Sequence, residues 1–478
     1  MKTRYLFKTV LIAGLVVFAT SCDDLLQTEP QQSVSPEVAI STPEGIRAVY
    51  HRGYRAQMFE DYWGQRLVMA GDALADNAIS NPVNSGRYTA EPVNGFGTGV
   101  GGWNRYLGIN DINTVIKHAP NVAALPEAER TRIEAEMLFL RALAYHDLVK
   151  VYAYEPNKIV GGWDRGVILR TEPTETVAAA DFKARSSVVE VYNQIEADLL
   201  RSISLFQQHN GNGPFFANLS AAHALLARVY LYWERWGDAI AQASAAIAAA
   251  NVTVAGPAAV PGMFQQGPGA NPESLFELRM TVSESLGVNV ALSAALTPLS
   301  HYDVVPSAEF LATLAPEDVR NSIYQSDIEN YPDMPPAKSG FRYVTKYEGY
   351  VGTHTDNIPL IRISEVYLTR AEAYAERDNA GDAALAVADL NRIRTNRGLA
   401  AFGAAPNNLV EEILLERRRE LAFEGHRWQD IKRKGLDLVK PAATNTPTLF
   451  YQENNQFLAR IPVTEVALNP LLEQNPGY

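Results

Sequence analysis

The most regular stretch of the chain is "ANLSAAHALLARVYLYWERWGDAIAQASAAIAAA", residues 217–250, where apolar and small side chains recur at helical spacing and no proline intervenes. A break near Trp236, Gly237 and Asp238 divides it into two helices. Leu226, Ala227 and Tyr230 fall on one face of the first, and Ala239 and Ala246 on the second. The first-helix pattern returns as "RALAY" (141–145) and "RAEAY" (370–374), and Ala383 follows Ala371 at the interval that separates Ala239 from Ala227. A fourth, weaker pair joins a helix around Arg47–Met58 to one spanning Trp103–Ala119.

Alanines at these positions let paired helices approach closely, and the spacing fits the tetratricopeptide repeat. The prediction is an all-α dominated fold: a tetratricopeptide-like scaffold of about four helix pairs, unevenly spaced because long insertions separate them. The insertions are residues 77–102, 251–272 and 325–357, rich in Gly, Pro and Asn, carrying many aromatics and no sustained period. Loops of that length on a helical frame commonly hold the function. Residues 41–478 are expected to form one domain containing these loops.

The first residues follow a different rule. "MKTRYLFKTVLIAGLVVFATSC" has a basic start, an apolar run from Val10 to Ala19 and small residues before the chain's single cysteine, Cys22. This reads as a signal peptide over 1–21, too short for a membrane span, with Cys22 placed for lipidation and residues 22–40 as a polar spacer. Ordinary secretion with a leftover thiol is the alternative.

Charge and composition narrow the chemistry. Apolar residues make up 47% of the chain, enough for a core. Loss of Lys2, Arg4 and Lys8 with the leader takes the formal charge from −12 to −15, which repels nucleic acid. No H-E-x-x-H or C-x-x-C pattern offers a metal site, and no cofactor is expected. The glycines Gly97, Gly99 and Gly102 imitate a dinucleotide motif without the preceding strand it needs. Asp72 and Asp76, four apart, read as a solvated helix face rather than an acid pair.

One cluster stands out, "ERRRELAFEGHRWQDIKR" at 416–433. As an active site it would need an open cavity beside Glu424 and His426; as an ionic clamp between helices it would need only burial. Arginine bridges two acceptors in a fixed plane, which favours the clamp.

That segment, together with "PLIRISEVYLTRAEAYAE" (359–376), "ESLFELR" (273–279), "GVILRTEP" (166–173), "WNRYLGINDIN" (103–113) and "CDDLLQTEP" after the leader, resembles the SusD/RagB family of outer-membrane lipoproteins. The resemblance implies a tetratricopeptide-like frame with irregular loops forming the ligand face. It implies a surface-exposed partner of a SusC-like TonB-dependent transporter, binding oligosaccharides or, in some members, peptides, without catalysis. A helical-repeat adaptor for protein partners is the competing class. Within the loops, composition alone selects Asn77, Asn81, Arg87, Tyr88, Tyr343, Tyr347 and Tyr350, with Trp103 beside them, as candidate ligand contacts. Aromatic faces meet sugar C–H groups, and amide and guanidinium groups meet hydroxyls.

Overall fold

The computed structural model describes residues 40–96, 102–175, 182–453 and 455–478. The leader, Cys22 and nearly all of the spacer lie outside these residues, as do Gly97 and Gly99.

Eight helices follow one another in contact and make four antiparallel pairs: α1 (Pro43–Arg55) with α3 (Arg105–His118), α4 (Glu127–Tyr152) with α5 (Val188–Phe206), α6 (Leu219–Tyr232) with α7 (Trp236–Ala249), and α8 (Ile363–Arg377) with α9 (Asp382–Asn396). Between the first two of these runs α2 (Arg66–Ala73). The starts follow capping chemistry. Thr42 accepts the Gly45 N–H ahead of Pro43, Asn218 accepts the Ala221 N–H, and Ser187 with Glu190 forms a reciprocal capping box. Ala142, Ala227 and Ala371 are all fully buried, as the repeat spacing requires. The break inside 217–250 falls at Trp233–Arg235 rather than at Trp236, because Glu234 adopts φ 58° and turns the chain there.

The sequence between helix pairs builds everything else. Residues 250–362 form a longer insertion than composition indicates, and it contributes five of the six short strands among the described residues. These pair as three antiparallel ribbons: β1 (Ala78–Ser80) with β3 (Val304–Pro306), β2 (Ser274–Leu278) with β6 (Ile358–Arg362), and β4 (Tyr324–Ser326) with β5 (Arg342–Val344).

The charged cluster joins insertion to frame. It occupies α10 (Leu409–Glu420), a tight turn, and α11 (Arg427–Arg433). Four cations, Arg320, Lys346, Arg362 and Arg397, interleave with five carboxylates, Glu273, Asp318, Glu416, Glu420 and Glu424, all with side chains at most 3% exposed. Glu420 accepts two hydrogen bonds from Arg397 at 2.8 Å, one from Arg362 at 2.9 Å and one from Arg320 at 3.1 Å. Burial would raise its carboxyl, but these guanidiniums outweigh burial and hold it well below the ordinary range. Glu424 is clamped by Arg362 at 2.7 Å and Lys346 at 2.5 Å, and His426 is 6% exposed, its imidazole pushed down to about 4 by burial. Neither lines an open cleft.

Asp72 and Asp76 depart from the expected solvated face. Asp72 is 1% exposed and accepts the Phe423 N–H and the Asn77 amide, while Asp76 accepts two hydrogen bonds from Arg427, at 2.7 and 2.8 Å. Both pin α2 to the clamp. Gly71 makes the approach possible, since a Cβ there would lie 2.5 Å from Gly425 Cα. Gly425 itself needs its φ of 83°.

Candidate functional site

Two of the ribbons meet on the loop face. Tyr302, Val305 and Tyr343 form a small buried cluster under them, with Ile79, Tyr331, Met334 and Phe341 packed against it. Asp327 organises the loop above: it is fully buried and accepts the Gly340 and Phe341 N–H groups at 3.0 Å and the Tyr302 hydroxyl at 3.2 Å. Asp303 does the same for the first loop, accepting the Ser85 N–H at 2.8 Å and pairing with Arg87 at 3.3 Å.

Against the Asp327 loop lies a pocket of about 540 Å³, closed on its other sides by Ile79, Pro306 and the segment around Ala442. Ile79, Ile328 and Phe341 supply apolar walls, and Glu309, Glu329 and Arg342 supply charged groups at the rim. The size falls within the roughly 300–1,000 Å³ usual for small-molecule sites. An apolar wall with exposed carboxylates and a guanidinium suits a ligand with C–H faces and many hydroxyls. Among the described residues, no group of three or more His, Cys, Asp or Glu is placed to hold a metal ion.

The structure turns most of the loop residues chosen from composition inward. Asn77 is fully buried, donating to Asp72 at 2.7 Å and accepting from Arg418 at 2.7 Å, so both ends of its amide serve the clamp. Asn81 is also fully buried and closes a turn by accepting the Val83 N–H. Tyr88 and Tyr347 are 4% and 0% exposed with hydroxyls that meet no partner, and burial raises both phenols. Tyr343 underlies the pocket instead of facing it, its hydroxyl donating to Gln325 at 3.1 Å. Trp103 is core, edge-on to Tyr152 at 4.9 Å. The four rings turn inward because burying a large aromatic face is favourable, and the two asparagines because their amides satisfy buried polar partners. Arg87 and Tyr350 keep exposed surface, Tyr350 donating to Thr345 and Glu348.

Composition did not single out Phe341, Asp303 or Asp327. Phe341 and Asp327 lie inside the 325–357 loop, where the tyrosines carry the compositional signal, while Asp303 lies in residues 279–324, which lack the Gly/Pro/Asn signature of a loop.

Comparison with known proteins agrees with the helical frame. A family model described as "SusD family" matches residues 325–478, and one described as "Starch-binding associating with outer membrane" matches residues 26–231. SusD-like protein P2 of Formosa agariphila is 26% identical across 97% of this chain and 98% of its own length, and SusD-like protein P38 of the same organism is 24% identical across 99% of each. Among solved structures, a putative sugar binding protein from Bacteroides vulgatus superposes with a TM-score of 0.79 at 26% identity, covering 92% of this chain and 99% of that one. A SusD superfamily protein from Bacteroides thetaiotaomicron gives 0.79 at 26% identity over 91% and 100%. A laminarin binding SusD-like protein shares the fold, with a TM-score of 0.70 at 21% identity over 92% and 100%.

The molecule is therefore a tetratricopeptide-like helical frame carrying long inserted loops with a pocket among them. The chain belongs to the SusD/RagB family.

Proposed function

We propose that this protein captures oligosaccharides at the cell surface and hands them to a SusC-like TonB-dependent outer membrane transporter, without itself carrying out a reaction. The carrying observation is the pocket of about 540 Å³ walled by Ile79, Ile328 and Phe341 on the inserted loops, while the charges of 416–433 are buried in ion pairs. Family membership supports the outer-membrane setting through the description of the second family model. Laminarin binding by a neighbour of the same fold supports a glycan ligand. Lipidation at Cys22, the leader over 1–21 and the spacer over 22–40 complete the reading and supply the anchor. Arg87, half-buried and paired with Asp303, remains in the proposed contact set with the pocket residues Phe341 and Arg342.

Calorimetry of the soluble chain lacking the leader, against panels of neutral oligosaccharides and of peptides, tests this. Glycan binding that falls at least tenfold in Phe341→Ala, with the folded state retained, is the expected result. Binding to peptides alone would replace the sugar with a peptide ligand. Binding to neither would favour a protein-interaction adaptor.

A further inference from the structure

A larger groove, of about 720 Å³, lies on the first helix pair and shares no lining residue with the loop pocket. It runs between the C-terminal end of α1 and the exposed side of α3, and its third wall is the segment carrying Arg170 and Thr174. That wall is fixed, because Asn113 donates to the Arg170 carbonyl at 2.9 Å and Asn110 accepts the Thr174 N–H at 2.7 Å.

The charges bordering the groove run against the rest of the molecule. Arg52, Arg55 and Arg170 face one carboxylate, Asp111, among the described lining residues, in a chain whose formal charge is −12. Arg52 and Arg55 are 68% and 56% exposed and, among the described residues, held only by long pairs, 3.3 Å to Asp111 and 3.4 Å to Glu284. Exposed pairs of this kind contribute little to stability, so they do not explain why the arginines gather here, and they yield readily to a better acceptor. Leu107 and Phe59, 68% and 42% exposed, stand beside them. Planar forks next to apolar surface form a receptor for a rigid oxyanion carried on a ring with C–H faces.

We propose that this groove is a second binding site, taking a soluble oligosaccharide that bears carboxylate or sulfate groups. Arg52 and Arg55 grip the oxyanion, and Phe59 and Leu107 meet the sugar ring. The sugar part rests on the glycan-capture reading; the anionic part rests on the groove alone.

The test compares the soluble chain lacking the leader with Arg52→Ala/Arg55→Ala and with Phe341→Ala. Probes are a galacturonate trimer, a chondroitin sulfate hexasaccharide and neutral maltohexaose, by calorimetry at low and high salt. At least one charged probe should bind more tightly than maltohexaose, lose at least tenfold affinity in the double arginine variant, keep its affinity in Phe341→Ala and weaken with added salt. Equal affinity in wild type and the double variant would overturn the proposal, as would charged probes binding no better than maltohexaose. Charged sugar bound only when presented on glycolipid vesicles would also overturn it. Loss in Phe341→Ala alone would move the anionic ligand to the loop pocket. Failure of glycan capture would show separately, as neutral panels that bind nothing.

Discussion

Replacing Glu420 by Gln tests the clamp most directly. The substitution keeps shape and removes one charge from a site whose side chain is 2% exposed. In the native protein one carboxylate oxygen takes Arg362 and Arg397, and the other takes Arg320 and Arg397. Glutamine retains one acceptor oxygen and turns an NH₂ toward the remaining two guanidinium donors, so two charge-assisted hydrogen bonds become donor–donor contacts. Each lost bond to a charged group costs about 1.5–3 kcal/mol, and removing one partner of a buried ionic set costs about 3–5 kcal/mol in all. The expected result is a loss of about 3–5 kcal/mol, read as a lower urea midpoint at unchanged slope. Arg165→Ala, which breaks the exposed pair with Glu473, should leave the urea midpoint nearly unchanged and serves as the control. A Glu420→Gln protein within 1 kcal/mol of wild type would refute the clamp. So would one of full stability that has lost ligand binding, because that would make the cluster a working site.

Other outcomes follow from the same contacts. Gly71→Ala should lower stability by about 1–3 kcal/mol, since the added methyl meets Gly425 backbone at 2.5 Å; unfolding at or above the wild-type midpoint would contradict that packing. Tyr88→Phe and Tyr347→Phe should leave stability equal or slightly higher, because each removes a buried hydroxyl with no partner; a loss above 1 kcal/mol would mean the hydroxyls are satisfied in solution. Burial raises the Glu277 carboxyl from 4.5 to about 7, so its ionised form is disfavoured in the folded state. Its contribution is therefore intact below about pH 4.5 and lost as pH rises to about 7, and the stability of wild type relative to Glu277→Gln should fall by about 3 kcal/mol across that window. A flat difference between pH 4.5 and 7 would show the carboxyl to be solvated.

Local order was written plainly in the chain. Helix existence follows from apolar spacing and capping residues, which act over a few positions, so the four pairs and the buried Ala142, Ala227 and Ala371 were readable without a fold. The ionic character of 416–433 was equally visible, since residue type alone supplies it. Its partners were not. Arg320, Lys346 and Arg362 reach Glu420 and Glu424 from far along the sequence, and only the folded chain brings them within hydrogen-bonding distance. The loop pocket shows the same division more sharply. Composition marked aromatic loops, but whether a given ring points to solvent or core depends on which strands pair beneath it. The β1–β3 and β4–β5 ribbons put Tyr343 inside and bring Ile79, Ile328 and Phe341 to the pocket wall. The sequence by itself therefore determined the frame, because helices obey short-range rules; the tertiary structure decided the site, because side-chain direction in a loop is set by long-range packing.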